Sequence, residues 1–225
     1  MTKHRKAVGI AMEGMLFDDL SQEERDTLKA QDQEAWQSIQ LNAIEWLLAE
    51  GQILVHGERK RVSECLLGQG GPLFTVEQRR WITQLAERPL CLYEVTEVIP
   101  GQQMTLCNLL DSEAPPIVVR EKSGSQAVLL GLQIGSRIME VDSHYELSGG
   151  FYSFSNLAGP AAVARTREAM DQFDGPPEEL PGFLGSNIRL EWLYQFCKPK
   201  AIPTFVDAYS GDPISLITDH YRVRA

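Results

Sequence analysis

Three aspartates and one histidine lie close together near the end of the chain and could hold a cation or take part in hydrolysis. They are Asp207, Asp212, Asp219 and His220. Carboxylates bind hard cations, and a carboxylate near a histidine can move protons. The same residue types also suit turns, and Ser210-Gly-Asp-Pro213 is itself a turn sequence. We therefore favour a turn over a catalytic or metal-binding role here.

Other motifs with possible chemistry are equally weak. Asp142 and His144 could form a functional pair, but a hairpin turn explains their spacing more simply. Gly68–Gly71 and Ser148–Gly150 are glycine-rich, yet neither fits a dinucleotide fingerprint or a phosphate-binding loop. The esterase motif G-x-S-x-G does not occur in the sequence. The sequence therefore predicts no catalytic residue and no cofactor.

The cysteines do not have the spacing of a metal site. Cys65, Cys91, Cys107 and Cys197 are far apart, and no C-x-x-C pair is formed. Structural zinc requires closely spaced pairs of ligands, so we expect reduced, mostly buried thiols and no metal. Glu13 interrupts the short apolar stretch near the N-terminus, and no clear signal-peptide cleavage site follows. We expect a cytoplasmic protein without a membrane span.

The charge distribution separates the middle of the chain from its two basic clusters. The 225 residues carry a net charge of −10, and residues 91–158 hold eight acidic side chains against Arg120, Lys122 and Arg137. Nucleic-acid binders concentrate lysine and arginine along the path of the phosphates, so the charge of this acidic part argues against nucleic acid as its ligand. The basic clusters are Lys3–Lys6 and the triplet Arg59, Lys60 and Arg61. A solvated surface is the simpler interpretation of both.

Four aromatic residues surround a glycine pair in the middle of the chain. Tyr145, Phe151, Tyr152 and Phe154 flank Gly149-Gly150, where a sharp bend or bulge is expected. Aromatic side chains on small barrels can stack bases or grip peptides. Because alternate residues of a strand face inward, core packing is favoured for at least two of the four. The set is the best candidate binding surface in the sequence.

The first part of the chain, residues 1–90, has helical signals. Ser21–Glu24 is a capping box that opens a helix, and Gly51 ends the apolar stripe behind it. Thr75–Gln78 is a second capping box, which predicts a helix with Val76 and Leu85 facing inward. Pro89 stops that helix. The segment from Ile53 could be a short strand or a connection between helices.

The second part, residues 91–158, alternates apolar and polar residues in short runs separated by turns. Strands are predicted at Leu92–Ile99, Met104–Leu110, Ile117–Glu121, Gln126–Leu130, Arg137–Val141, Tyr145–Ser148 and Phe151–Phe154. Short strands with glycine corners favour a small, strongly bent antiparallel β-sheet or an SH3-like or OB-like barrel.

The third part, residues 159–225, mixes helices and strands. Gly159-Pro160 starts a helix, Asp174–Gly182 reads as a loop, and Ser186 or Asn187 caps a helix that carries Trp192. Thr204–Tyr209 and Ile214–Val223 read as a terminal β-hairpin. The whole chain is predicted to be α+β, in three parts or in one continuous domain.

The run from Phe74 to Ser125, continued by Gly135–Phe154, resembles a segment of uncharacterised bacterial proteins that contain the SEC-C motif. Ile202–Val223, with DAYSGDP at its centre, is similar to a hairpin of the same proteins. The cysteine-rich zinc motif of that family is absent from this sequence, so the resemblance implies no metal. It implies a bacterial origin and a shared architecture, and it transfers no activity.

We expect a non-catalytic protein-binding or assembly component of a bacterial complex. Its partner would be another protein, or a second copy joined through the edge of the last hairpin. That edge could instead dock on the preceding helices, or the chain could be a fragment. One alternative is a nucleic-acid-linked regulator that uses Lys3–Lys6 and Arg59–Arg61, and a second is a hydrolytic enzyme.

Overall fold

The N-terminal helices begin where side chains accept the first free amide protons. In the computed structural model, which describes residues 5–128, 130–197, 205–206 and 213–214, the amide of Glu24 donates to Ser21 Oγ over 3.3 Å. Gln78 N donates to Thr75 Oγ1 over 3.2 Å, so both predicted capping boxes are confirmed. The first part contains α1 (Arg5–Phe17), α2 (Gln22–Lys29), α3 (Gln33–Ala49), β1 (Gln52–Val55), β2 (Glu58–Arg61), α4 (Val62–Leu67) and α5 (Val76–Glu87).

Two predictions for these helices are wrong. The single helix expected from Ser21 to Gly51 is broken, because Asp32 accepts from the amide of Ala35 over 2.9 Å and starts a new helix, α3. Val76 is 78% exposed rather than inward, because it is the first residue of α5 and lies at its solvated end. The segment at Ile53 is a strand of the β1–β2 hairpin.

The middle of the chain forms a seven-stranded sheet that curls into a half-barrel. Its strands are β3 (Cys91–Ile99), β4 (Gln103–Asn108), β5 (Ile117–Arg120), β6 (Gln133–Ser136), β7 (Ile138–Val141), β8 (His144–Leu147) and β9 (Tyr152–Ser153). The spatial order is β7-β8-β5-β4-β3-β6-β9. Its concave face packs a cluster that includes Val95, Leu106, Ile134 and Leu147.

The sheet departs from the predicted one in three places. It is mixed rather than antiparallel, because β5 and β8 pair in parallel at Val119–Tyr145 and Arg120–Glu146. The predicted strand at Gln126–Leu130 is wrong, since a short helix, α6, covers Gly124–Ala127. Strand β6 was not predicted, and it inserts between β3 and β9. Strand pairing over long sequence distances overrides local pattern here.

Two helices cover the other face of the sheet. They are α7 (Ala158–Asp171) and α8 (Leu180–Cys197). The helix start predicted at Ser186 or Asn187 is wrong, because α8 begins at Leu180, within the expected loop, and has Pro181 in its first turn. Asn187 instead accepts a hydrogen bond from Thr166 of α7. Trp192 is fully buried, and its ring lies 5.1 Å from that of Tyr152.

One hydrophobic core joins all three predicted parts of the chain. It includes Met15 and Ile39 from the first part, Leu92 and Tyr152 from the second, and Trp192 from the third. Leu92 faces this helical core, whereas Tyr93 faces the concave side of the sheet, as expected for neighbouring residues of a strand. The helices and the half-barrel therefore pack together rather than as separate units.

Side-chain amides hydrogen-bond to the backbone at both edges of the sheet. Gln84 of α5 accepts from the amide of Glu140 over 2.8 Å and donates to its carbonyl oxygen over 2.9 Å, on edge strand β7. Asn42 of α3 pairs in the same way with Phe151, next to edge strand β9, over 2.9 and 3.0 Å. Such contacts satisfy edge groups that could otherwise recruit another strand.

The terminal hairpin is described only in part. Strands β10 (Phe205–Val206) and β11 (Pro213–Ile214) pair antiparallel, as predicted. The remaining residues of the expected hairpin, including Asp207, Asp212, Asp219 and His220, lie outside the described residues. The proposed pairing of this edge with another chain stays a prediction.

The close approach of α8 to the sheet gives a stability prediction. A Cβ on Gly135 would lie 2.9 Å from Ile188 Cγ2 and 3.1 Å from Tyr152 Cβ. We expect Gly135→Ala to lower the free energy of unfolding by about 1–3 kcal/mol, because the packed core must move apart. A Cβ on Gly182, in the first turn of α8, meets nothing within 4 Å. Gly182→Ala should therefore raise the stability by about 0.4–1 kcal/mol.

Urea unfolding of both variants checks this pair. Equal effects of the two substitutions, or a neutral Gly135→Ala, would contradict the packing described for β6 and α8.

Candidate functional site

An open groove lies on the half-barrel where the β4–β5 loop meets the β7–β8 turn, and we call it the sheet groove. Its volume is about 680 Å³. Residues from six separate segments of the chain line it, among them Pro89, Pro115–Pro116, Val118, Arg120 and Tyr145. Three of its wall positions are prolines, whose fixed backbone angles make the wall rigid. These prolines restrict the backbone at three positions around the groove.

The groove exposes apolar side chains that the two cores leave uncovered. Val118 is 47% exposed and Tyr145 is 42% exposed. Val119, the next residue of β5, is fully buried in the concave core. Because side chains alternate along β5, Val118 points to solvent while Val119 packs into the core on the opposite face. A tyrosine beside an apolar strand residue is a frequent arrangement at protein interfaces.

The permanently charged side chains that line the sheet groove are two arginines. No aspartate or glutamate lines it, whereas Arg88, Arg120 and His144 do. Arg88 pairs with Glu140 over 3.3 Å, and His144 Nε2 lies 2.7 Å from Glu146 Oε1. Among the described residues, the side chain of Arg120 has no ion pair or hydrogen-bond partner. Its guanidinium is available to an incoming anionic group.

Part of strand β5 has a pairing partner on one side only. Ile117 and Val118 pair with Leu106 and Thr105 of β4. Strand β8 pairs with β5 at Val119 and Arg120, so within the described residues the backbone of Ile117 and Val118 is paired on one side only, next to His144 at the start of β8. This free edge lies within the sheet groove.

The predicted aromatic surface is mostly core. Tyr152 is fully buried and Phe154 is 2% exposed, both in the core shared with the helices. Phe151 is half-buried against the concave cluster. Tyr145 alone of the four extends into the sheet groove. The structure therefore separates Tyr145 from the other three, because strand alternation and the bend at Gly149, with φ +98°, turn them inward.

The predicted basic triplet lies on β2 among acidic neighbours. All three residues, Arg59, Lys60 and Arg61, are exposed. Lys60 pairs with Glu58 over 3.3 Å, and Arg61 Nη1 lies 3.5 Å from the carbonyl oxygen of Ala86. Arg59 lines a second cleft, of about 620 Å³, together with Asp18, Asp19 and Glu50. These acids interrupt the positive surface that phosphates would require. Lys3 and His4 lie outside the described residues.

The residues with possible chemistry are not brought together in the described part of the chain. His144 contacts Glu146 rather than Asp142, whose φ of +52° belongs to the β7–β8 turn. The four cysteines are free thiols, and burial raises the pKa of Cys91 and, to about 11, that of Cys197. Raised values disfavour the nucleophilic thiolate. The described residues contain no group of three metal-ligating side chains.

A buried ionic cluster behind the sheet was not predicted from the sequence. Arg137, at the corner between β6 and β7, is fully buried and pairs with Glu50 and, over 3.5 Å, with Glu45. Glu45 also accepts hydrogen bonds from Ser148 Oγ over 2.9 Å and from the hydroxyl of Tyr152 over 3.0 Å. The cluster therefore links α3 to three segments of the half-barrel.

The cluster shifts the pKa values of its members. Burial disfavours the charge of Arg137, but the two glutamates outweigh burial and raise its pKa. Burial raises the pKa of Glu45 in spite of the guanidinium beside it. A Cβ on Gly150 would lie 2.7 Å from Glu45 Cγ, which explains the second glycine of the bend. The only sequence signal of this cluster is an arginine directly before the apolar pair Ile138–Met139.

Comparison of the chain with protein-family models, with curated proteins and with solved structures gives no match. The resemblance to SEC-C-motif proteins therefore stays a prediction. Among the described residues, no helix combines the length and apolarity needed to cross a bilayer.

The raised pKa of Glu45 predicts how stability depends on pH. The folded chain binds this proton more tightly than the unfolded chain, so the contribution is complete below the ordinary pKa of 4.5 and is lost as the pH rises through the raised value. Glu45→Gln keeps the shape of the side chain without titrating. We expect wild type to lose stability relative to Glu45→Gln as the pH rises above 4.5.

Urea unfolding of both proteins over a series of pH values measures this difference. A stability difference that is constant, or that moves in favour of wild type as the pH rises, would contradict the assignment.

Proposed function

We propose that this protein is a non-catalytic binding or assembly component that recognises another protein through the sheet groove. The observation that carries the proposal is the exposed apolar surface of Val118 and Tyr145, set in a groove that Pro89 and Pro115–Pro116 also line. Tyrosine and arginine are enriched among the residues that dominate binding energy at interfaces, and Tyr145 and Arg120 share this groove. We place the protein in the bacterial cytoplasm, in keeping with its free thiols.

The two alternative functions have less support. A nucleic-acid role would need a continuous basic surface, but Glu58, Asp18 and Asp19 intersperse the charges around β2. A hydrolytic role would need a nucleophile within reach of His144. In the described part of the chain, the only side chain that His144 hydrogen-bonds is the carboxylate of Glu146.

Photocrosslinking in the native host tests the proposal. A photoreactive amino acid at position 118, in the sheet groove, should form covalent adducts with a defined protein that mass spectrometry identifies. The same amino acid at the fully exposed position 73, outside the groove, is the matched control and should not form them. The captured protein, once purified, should bind the full chain directly.

The Tyr145→Ala variant then tests the groove itself. We expect it to weaken binding of the captured protein about tenfold or more, because truncating an interface tyrosine of this kind removes about 1.4 kcal/mol or more. Its unfolding midpoint should stay close to that of wild type, since the side chain is 42% exposed. Equal crosslinking from positions 118 and 73, or full binding by Tyr145→Ala, would contradict the proposal.

A further inference from the structure

We infer that the sheet groove binds an extended, acidic peptide segment of its partner protein. The inference rests on the proposed function and adds the chemical class of the ligand. Three features of the groove carry it: the sign of its charges, the free edge of β5, and the apolar residues between them.

The charge of the groove opposes that of the whole chain. The protein carries a net charge of −10, yet no carboxylate lines the groove. Glu140 is paired with Arg88, and Glu146, which lies 2.7 Å from His144, is not part of the groove lining. Arg120 is left as an unpaired cation at the groove. An anionic group would pair with it, whereas a basic segment would be repelled.

The free edge of β5 favours a ligand with an extended backbone. Ile117 and Val118 pair with β4 on one side and have no described strand on the other before Val119. A peptide backbone that enters beside Ile117, ahead of His144 at the start of β8, could hydrogen-bond to these unpaired backbone groups. Pro115 and Pro116 directly precede the edge and hold the approach to it rigid.

The apolar lining favours a peptide over a nucleic acid. Val118 and Arg120 lie on the same face of β5, so two alternate side chains of an extended peptide would meet an apolar residue and a basic one there, with Tyr145 lining the same groove. A nucleic acid would instead require several unpaired cations along the path of its phosphates. The groove offers one, on a protein whose total charge repels polyanions.

Peptide selection on the full chain tests this inference. A phage library of short random peptides is panned against wild type, and the enriched peptides are synthesised with a fluorescent label for anisotropy titrations. We expect enrichment of aspartate and glutamate next to apolar residues. Arg120→Glu should weaken binding of these peptides about tenfold or more, because it places like charges together.

Arg80→Glu is the matched control. Arg80 is exposed on α5, outside the groove, and has no ion pair among the described residues, so the same charge reversal should change affinity less than about twofold. Thermal unfolding of both variants should match wild type. Equal effects of the two reversals, enrichment of basic peptides, or no enrichment would overturn the inference.

The outcomes also separate this inference from the proposed function. A crosslinked partner that binds through Tyr145 by a basic or neutral segment would leave protein binding standing and overturn the acidic class alone. Random-sequence single-stranded RNA is titrated in parallel. RNA binding that Arg120→Glu abolishes, without any enriched peptide, would overturn both.

Discussion

The buried guanidinium of Arg137 is the interaction on which the arrangement of helices and sheet depends. It lies at the corner between β6 and β7 and is neutralised by Glu45 and Glu50, both at the C-terminal end of α3. Removing both carboxylates would leave the Arg137 charge buried and uncompensated, which costs about 3–5 kcal/mol. Helix α3 must therefore stay in place for the sheet to keep its corner. Ser148 and Tyr152 extend the same constraint to the strands that follow.

That constraint also explains which part of the sheet is left open. Helix α3 brings Asn42 to the backbone next to β9, and α5 brings Gln84 to β7, so both ends of the sheet are covered by side-chain amides. The start of β5 receives no such cover among the described residues. The free edge lies beside Tyr145 and Arg120, where apolar surface and unpaired charge coincide. The helices thus protect the edges that could aggregate and leave one short segment available for a ligand.

The features that depend on residues close together in the sequence were predicted well. The capping boxes at Ser21 and Thr75 are complete within four residues, and both helices begin there. The inserted strand β6 and the parallel β5–β8 pair depend on contacts between distant segments, which periodicity does not encode.

The candidate site was predictable only in part, for a similar reason. Tyr145 was identified from its aromatic type, but burial separates it from Phe151, Tyr152 and Phe154. Arg120 was counted within an acidic module, and nothing in the sequence indicates that no carboxylate would line its groove. The sequence pattern of α3 predicts that Glu45 is exposed. In the structure, Glu45 instead packs against Arg137.

Hydrogen–deuterium exchange tests most directly whether the sheet groove is the working surface. Exchange of the full chain is followed with and without the tightest acidic peptide selected on it. The account predicts slower exchange at residues 117–120 and 143–146, and unchanged exchange at residues 52–61 of the β1–β2 hairpin. Protection of that hairpin, with none at residues 117–120, would contradict it.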